Sequence, residues 1–189
     1  MLGIDEVGRG PLAGPVTVCL FFASKNIDLL SLFDNRKLKD SKKLTRKKRE
    51  EIYNSLLKMK KAGLVNWKII NSSADKIDRI GISKCIYNSI KNNINKFKVE
   101  KTNVLLDGAL AKEFGTVIIK GDEKVDAIAC ASIVAKVCRD RYMTRLHKTL
   151  PMYGFADNSG YGTEEHRKAI IKFGPSKYHR LTYLKNILK

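Results

Sequence analysis

Between residues 127 and 138 only Ser132 and Lys136 are polar. A helix of that composition has no polar face to turn to water, so it must be enclosed on most of its circumference. Beyond it the chain becomes basic, through Arg139, Arg141, Arg145 and Lys148. The enclosing elements must come from the rest of the chain. Residues 2–6 and 15–22 read as two strands joined by a turn containing Gly8, Gly10 and Gly14, a hairpin near the first residue. Thr45 is a helix N-cap candidate, with Ile52, Leu56 and Met59 at helical spacing until Gly63. Residues 65–70 form a short strand, and helical segments interrupted by Gly81 follow toward Phe97. Residues 104–106 and 116–119 are further short strands, and Thr163 caps a last helix that Gly174 and Pro175 stop. Strands mixed with helices predict an α/β chain with a mixed sheet, a helical carboxy-terminal part from about residue 140, and one domain over residues 1–189.

The 37 Lys and Arg against 19 Asp and Glu leave a net charge of +18, which points to a polyanionic partner, nucleic acid before others. No apolar run approaches the roughly 18 residues of a membrane span, and no export signal is legible. Cys19, Cys85, Cys130 and Cys138 lie in apolar surroundings without paired ligand spacing, so they read as reduced core thiols of a cytoplasmic protein. A monomer is expected.

Against so few acidic residues, the placement of four is informative. Asp5 and Glu6 sit in the first apolar strand, and Asp107 and Asp122 follow two later ones. A carboxylate in or beside a buried strand is costly unless paired or bound to a cation, and hard divalent ions prefer carboxylate oxygens. Several carboxylates converging from strand ends suit a pair of ions in phosphodiester hydrolysis. The alternative is that Asp5 pairs with a core arginine and Asp122 caps the next helix. His147, His166 and His179 form no metal-ligand array; His166, on the apolar face of a capped helix, reads as packed and hydrogen-bonded. No Walker loop or Ser-His-Asp order is present.

The string DEVGRGPLAGP, starting at Asp5, closely resembles the signature of the ribonuclease HII family. Further segments resemble that family in the right order: Asp40-Ser41-Lys42-Lys43-Leu44, VLLDG with Asp107, KGDEK with Asp122 and the helix behind it, and Ser159-Gly160-Tyr161-Gly162-Thr163 with His166. The resemblance implies a ribonuclease H-like fold, a central mixed sheet flanked by helices. It implies Asp5, Glu6, Asp107 and Asp122 as catalytic residues holding two Mg²⁺ or Mn²⁺ ions. Gly8, Arg9 and Gly10 are implied to contact the ribose 2′-hydroxyl and the adjoining backbone, and glycines do let main-chain groups approach a sugar closely. Tyr161 is implied to pack on the next sugar, and Ser41, Lys42 and Lys43 to face the nucleic-acid backbone. The segment from His179 to Tyr183 approximates an Arg-x-Ser-Phe pattern, which makes Arg180 a phosphate contact or an ordinary surface arginine.

The implied activity is endonucleolytic cleavage of the RNA strand of RNA/DNA hybrids and cleavage 5′ of ribonucleotides embedded in duplex DNA, in ribonucleotide removal and RNA primer degradation. Ser159 and Gly162 depart from the family's lysine and proline, which predicts a more flexible loop with one phosphate contact fewer. Asp126, four residues beyond Asp122, has no counterpart in the family pattern and is a supporting residue at most. Two other readings remain: a ribonuclease HIII, which usually carries an extra amino-terminal domain and lacks the turn arginine, and a noncatalytic basic nucleic-acid-binding module.

Overall fold

A computed structural model of the chain describes residues 1–38, 40–41, 43–108 and 111–188. Strands β1 (Leu2–Val7) and β2 (Val16–Ala23) form the expected hairpin, antiparallel from Leu2 opposite Phe22 to Val7 opposite Thr17. Strand β3 (Val65–Ser72) pairs antiparallel with β2, while β4 (Val104–Asp107) runs parallel to β1 and β5 (Thr116–Ile118) parallel to β4. The sheet order is β3-β2-β1-β4-β5, mixed as expected.

Strand alternation sends each face of β1 and β2 into its own core. Val7, Cys19, Phe21 and Ala23 pack against helices α1 (Arg46–Lys61) and α4 (Asp126–Thr149). Leu2, Ile4, Val18 and Leu20 pack on the opposite face, against α2 (Ala74–Ile80) and α3 (Ile82–Lys91). Every residue of α4 from Ala127 to Ala135 is buried, as its composition requires. Its approach to β1 is close: a Cβ on Gly3 would lie 2.3 Å from the main-chain carbon of Ala127. Only glycine permits that contact.

A third cluster joins the far half of α4, through Met143 and Leu146, to Ala13, Tyr153, the short helix α5 (Phe155–Asn158) and α6 (Glu164–Phe173). Thr45 and Thr163 are both side-chain N-caps, accepting from the N–H groups of Lys48 and His166. No helix among the described residues is long and apolar enough to cross a membrane.

Candidate active site

Parallel pairing of β1 with β4 sets Ile4 beside Leu106, so Asp5 and Asp107 follow at the same end of neighbouring strands. Beyond β5 the chain turns at Lys120 in a left-handed conformation and enters a single 3₁₀ turn, Gly121–Glu123, that carries Asp122. A cleft of about 480 Å³ forms there. Asp5, Glu6, Asp107 and Asp122 all line it, together with Arg9, Lys43, Asp40, Glu123 and Ser132.

Asp5 is only 6% exposed. Its carboxyl is held well above the usual range, by burial first and then by the negative charge of Glu6; the Ser132 hydroxyl opposes this and Asp107 adds to it. Among the described residues Asp5 does not pair with a core arginine: the two fully buried arginines, Arg139 and Arg180, donate to main-chain carbonyls instead. A buried carboxylate beside other carboxylates lacks a counter-charge, and hard oxygen donors are what Mg²⁺ or Mn²⁺ takes. The donor set fits such an ion. Among the described residues, however, no three acidic or histidine side chains enclose an ion as they stand. Like charges repel, and two of the carboxylates turn to protein partners: Asp107 Oδ1 accepts from the N–H of Gly121 at 2.8 Å, and Glu6 Oε1 pairs with Arg9 Nη1 at 3.0 Å.

Asp122 is not the cap of the following helix, whose N-cap residue is Val125 without side-chain capping. Asp126 stands apart from the cleft. Its carboxylate accepts from the N–H of Ala127, and it lines a separate cavity with Met1 and Lys25 that contains none of the four cleft carboxylates.

Arg9 is half exposed over the cleft, and the ring of Tyr161 stands beside the same turn: a Cβ on Gly10 would lie 3.8 Å from its Cε1. Gly8 has φ +94°, and a Cβ there would lie 2.3 Å from Arg139 Nε. Lys43 is exposed and pairs with Glu123 at 3.1 Å, which raises its pKa. Ser41 points the other way. It is 1% exposed and its hydroxyl hydrogen-bonds the Ser132 hydroxyl at 2.8 Å, while Arg49 Nη1 donates to its carbonyl, so it anchors the loop and does not face nucleic acid. Lys42 lies outside the described residues. Arg180 is neither a surface arginine nor a phosphate contact, being 0% exposed.

The loop around Ser159 and Gly162 is hydrogen-bonded to its surroundings. Arg139 Nη1 donates to the Ser159 carbonyl, the N–H of Leu12 donates to Gly160, and His166 Nδ1 meets the Tyr161 carbonyl at 2.8 Å. Since a carbonyl only accepts, His166 carries its proton on Nδ1 and offers Nε2 as acceptor to His179 Nε2, 3.1 Å away. His179 Nδ1 in turn accepts from the N–H of Ser176. Both rings are thus neutral. Burial lowers both pKa values, that of His179 from the ordinary 6.5 to about 4. Because the folded values lie below the unfolded ones, the pair's stabilisation is intact above about pH 6.5 and is lost as pH falls toward 4. Thermal melts at stepped pH are expected to show a steep fall there, and His179→Gln is expected to flatten it; an unchanged slope in that variant would assign the acid sensitivity elsewhere.

Comparison with known proteins accords with this geometry. The family model for ribonuclease HII matches residues 2–186. The chain belongs to the ribonuclease HII family. A ribonuclease HII from Caldicellulosiruptor bescii is 42% identical, the match covering 98% of this chain and 87% of that protein. Ribonuclease H2 from Pyrococcus horikoshii OT3 has the same fold, with a TM-score of 0.77 at 24% identity over 99% of this chain and 96% of that one. Bst-RNase HIII, solved in complex with Mn²⁺, superposes with a TM-score of 0.69 at 17% identity, covering 99% of this chain and 68% of that one. As a ribonuclease HII the chain is a hydrolase acting on the RNA of RNA/DNA hybrids. The reading as a noncatalytic binding module is thereby set aside, and so is ribonuclease HIII.

Sequence reasoning missed Ser132 and Arg139 as parts of this region. Ser132 carried a signal, as one of two polar residues in an apolar helix. Arg139 carried none, because its partners are backbone carbonyls.

Proposed function

We propose that the enzyme cuts on the 5′ side of a ribonucleotide embedded in duplex DNA, as well as within the RNA strand of longer hybrids, leaving 3′-hydroxyl and 5′-phosphate ends. Its role is then removal of ribonucleotides from DNA and degradation of RNA primers, acting as a monomer. The observation that carries this reading is the single cleft lined by Asp5, Glu6, Asp107 and Asp122 beside Arg9 and Lys43.

In this reading the four carboxylates hold two divalent cations, Mg²⁺ or Mn²⁺, and the Mn²⁺ in the Bst-RNase HIII structure supports the class of ion. Bound there, such ions supply an activated water and neutralise charge at the leaving oxygen. The chain's own groups do the rest. Arg9 and the main chain of Gly8 and Gly10 meet the ribose 2′-hydroxyl, the group that separates RNA from DNA. The Tyr161 ring, 45% exposed, packs on the next sugar. Lys43, with Lys42, holds phosphates without reading sequence. Ser41 and Arg180 support these loops from behind.

The deciding assay uses a DNA duplex containing one ribonucleotide, with all-DNA and all-RNA duplexes as controls. Cutting 5′ of the ribonucleotide in Mg²⁺, stopped by EDTA, is the expected result. Binding without metal-dependent cutting, or cutting of hybrids but never of the single-ribonucleotide duplex, would contradict the proposal.

A further inference from the structure

We propose that Arg180 is the positioning residue of the ribose-sensing turn, its guanidinium gripping the carbonyls of Gly8 and Arg9 so that the N–H groups of Arg9 and Gly10 face the sugar. This rests on the reading that the turn contacts the 2′-hydroxyl.

Arg180 Nη2 donates to the Gly8 carbonyl at 2.7 Å and Nη1 to the Arg9 carbonyl at 2.9 Å. Nε and Nη2 both reach the Gly14 carbonyl, at 3.1 and 3.0 Å. One planar fork thus ties both ends of the glycine-rich connection between β1 and β2. No ion-pair carboxylate meets it among the described residues, although its ring neighbour Tyr183 lies 5.2 Å from the guanidinium carbon. A guanidinium buried against carbonyls and an aromatic ring, without a carboxylate in contact, is an expensive way to fill a core, since apolar side chains of similar volume do so without desolvating a charge. What the cation does achieve is orientation.

Every peptide bond described is trans. In a trans peptide the C=O and the next N–H point in opposite directions. Holding the Gly8 and Arg9 carbonyls inward therefore turns the Arg9 and Gly10 N–H groups outward. Neither N–H donates to a protein acceptor among the described residues. They form a pair of successive free donors, the arrangement that makes a main-chain concavity for an oxygen ligand. A cation on the carbonyl side also polarises each peptide unit and strengthens its N–H as a donor. The occupant these features fit is the lone-pair side of a ribose 2′-oxygen, set between the turn and the Tyr161 ring. Lysine cannot substitute fully, because a single ammonium lacks the fixed fork that spans three carbonyls.

The test measures affinities of the wild type, Arg180→Lys and Arg180→Met for two duplexes of one sequence, all-DNA and with a single ribonucleotide. Ca²⁺ replaces Mg²⁺ to prevent turnover, and thermal melts accompany each variant. The wild type is expected to prefer the ribonucleotide duplex. In Arg180→Lys that preference is expected to fall by roughly tenfold, the equivalent of one well-placed hydrogen bond, with all-DNA affinity unchanged. Arg180→Met is expected to abolish it, and if Met fails to fold, Lys decides. A folded Arg180→Lys that keeps the full preference overturns the role of Arg180, as does an equal loss for both duplexes. A wild type without any preference instead sinks the sensing turn itself, and the role of Arg180 with it.

Discussion

Asp107→Asn is expected to reduce turnover by at least on the order of 10³-fold while leaving hybrid affinity nearly intact. The reasoning separates the two functions of that side chain. Structurally, Asp107 Oδ1 accepts from the N–H of Gly121, and an asparagine oxygen in the same place still accepts. The loop carrying Asp122 therefore stays where it is. Chemically, the substitution removes one negative charge from the cleft and replaces one of the oxygens proposed to hold a cation by an amide nitrogen that cannot ligate. Binding relies on the basic surface, a net charge of +18, which the change barely touches. Cleavage rates and anisotropy titrations on one hybrid check both halves. Unchanged turnover would remove Asp107 from the chemistry, and a collapse of both binding and melting temperature would make it a structural residue.

Arg139→Met is expected to be among the most damaging substitutions to stability. Arg139, 1% exposed on α4, donates Nε to the Pro15 carbonyl at 2.9 Å, Nη1 to Ser159 at 2.9 Å and Nη2 to Ala13 at 3.2 Å. Burial and the nearby charge of Arg180 draw its pKa down to about 10, so it remains a cation at neutral pH. Methionine matches its stem but leaves three carbonyls without a donor in a closed site. A loss of about 3–5 kcal/mol follows, out of a total of about 5–15 for a typical domain. At roughly 2–4 °C per kcal/mol for a chain of this size, the melting temperature drops by about 10 °C. Activity is expected to fall further than stability alone explains, because the same three bonds fix the turn after β1 to the Tyr161 loop. A melting temperature within about 2 °C of wild type would show that water replaces the guanidinium at little cost.

Much of this architecture was legible because apolar patterning and caps leave local marks. The α4 segment had no polar face and is enclosed; Thr45 and Thr163 looked like caps and are caps. The cleft carboxylates were legible for a related reason: charge next to buried strands needs a cause. What failed was inference about direction. Ser41 and Arg180 sit in polar stretches that resemble any surface loop, yet both point inward, and a carbonyl partner writes nothing into the sequence. Asp126 lies one helical turn from Asp122 only in sequence, because no continuous helix joins them. Asp122 belongs to a 3₁₀ turn that ends at Glu123, and α4 begins only at Asp126. The two carboxylates therefore diverge into separate cavities.

Anomalous scattering from crystals grown with Mn²⁺ tests the central arrangement most directly. Manganese peaks touching the carboxylates of Asp5, Glu6, Asp107 and Asp122, with Glu6 released from Arg9 and Asp107 drawn toward the ion, are the expected result. Peaks only elsewhere on the molecule, or none at a concentration that supports cleavage, would contradict it.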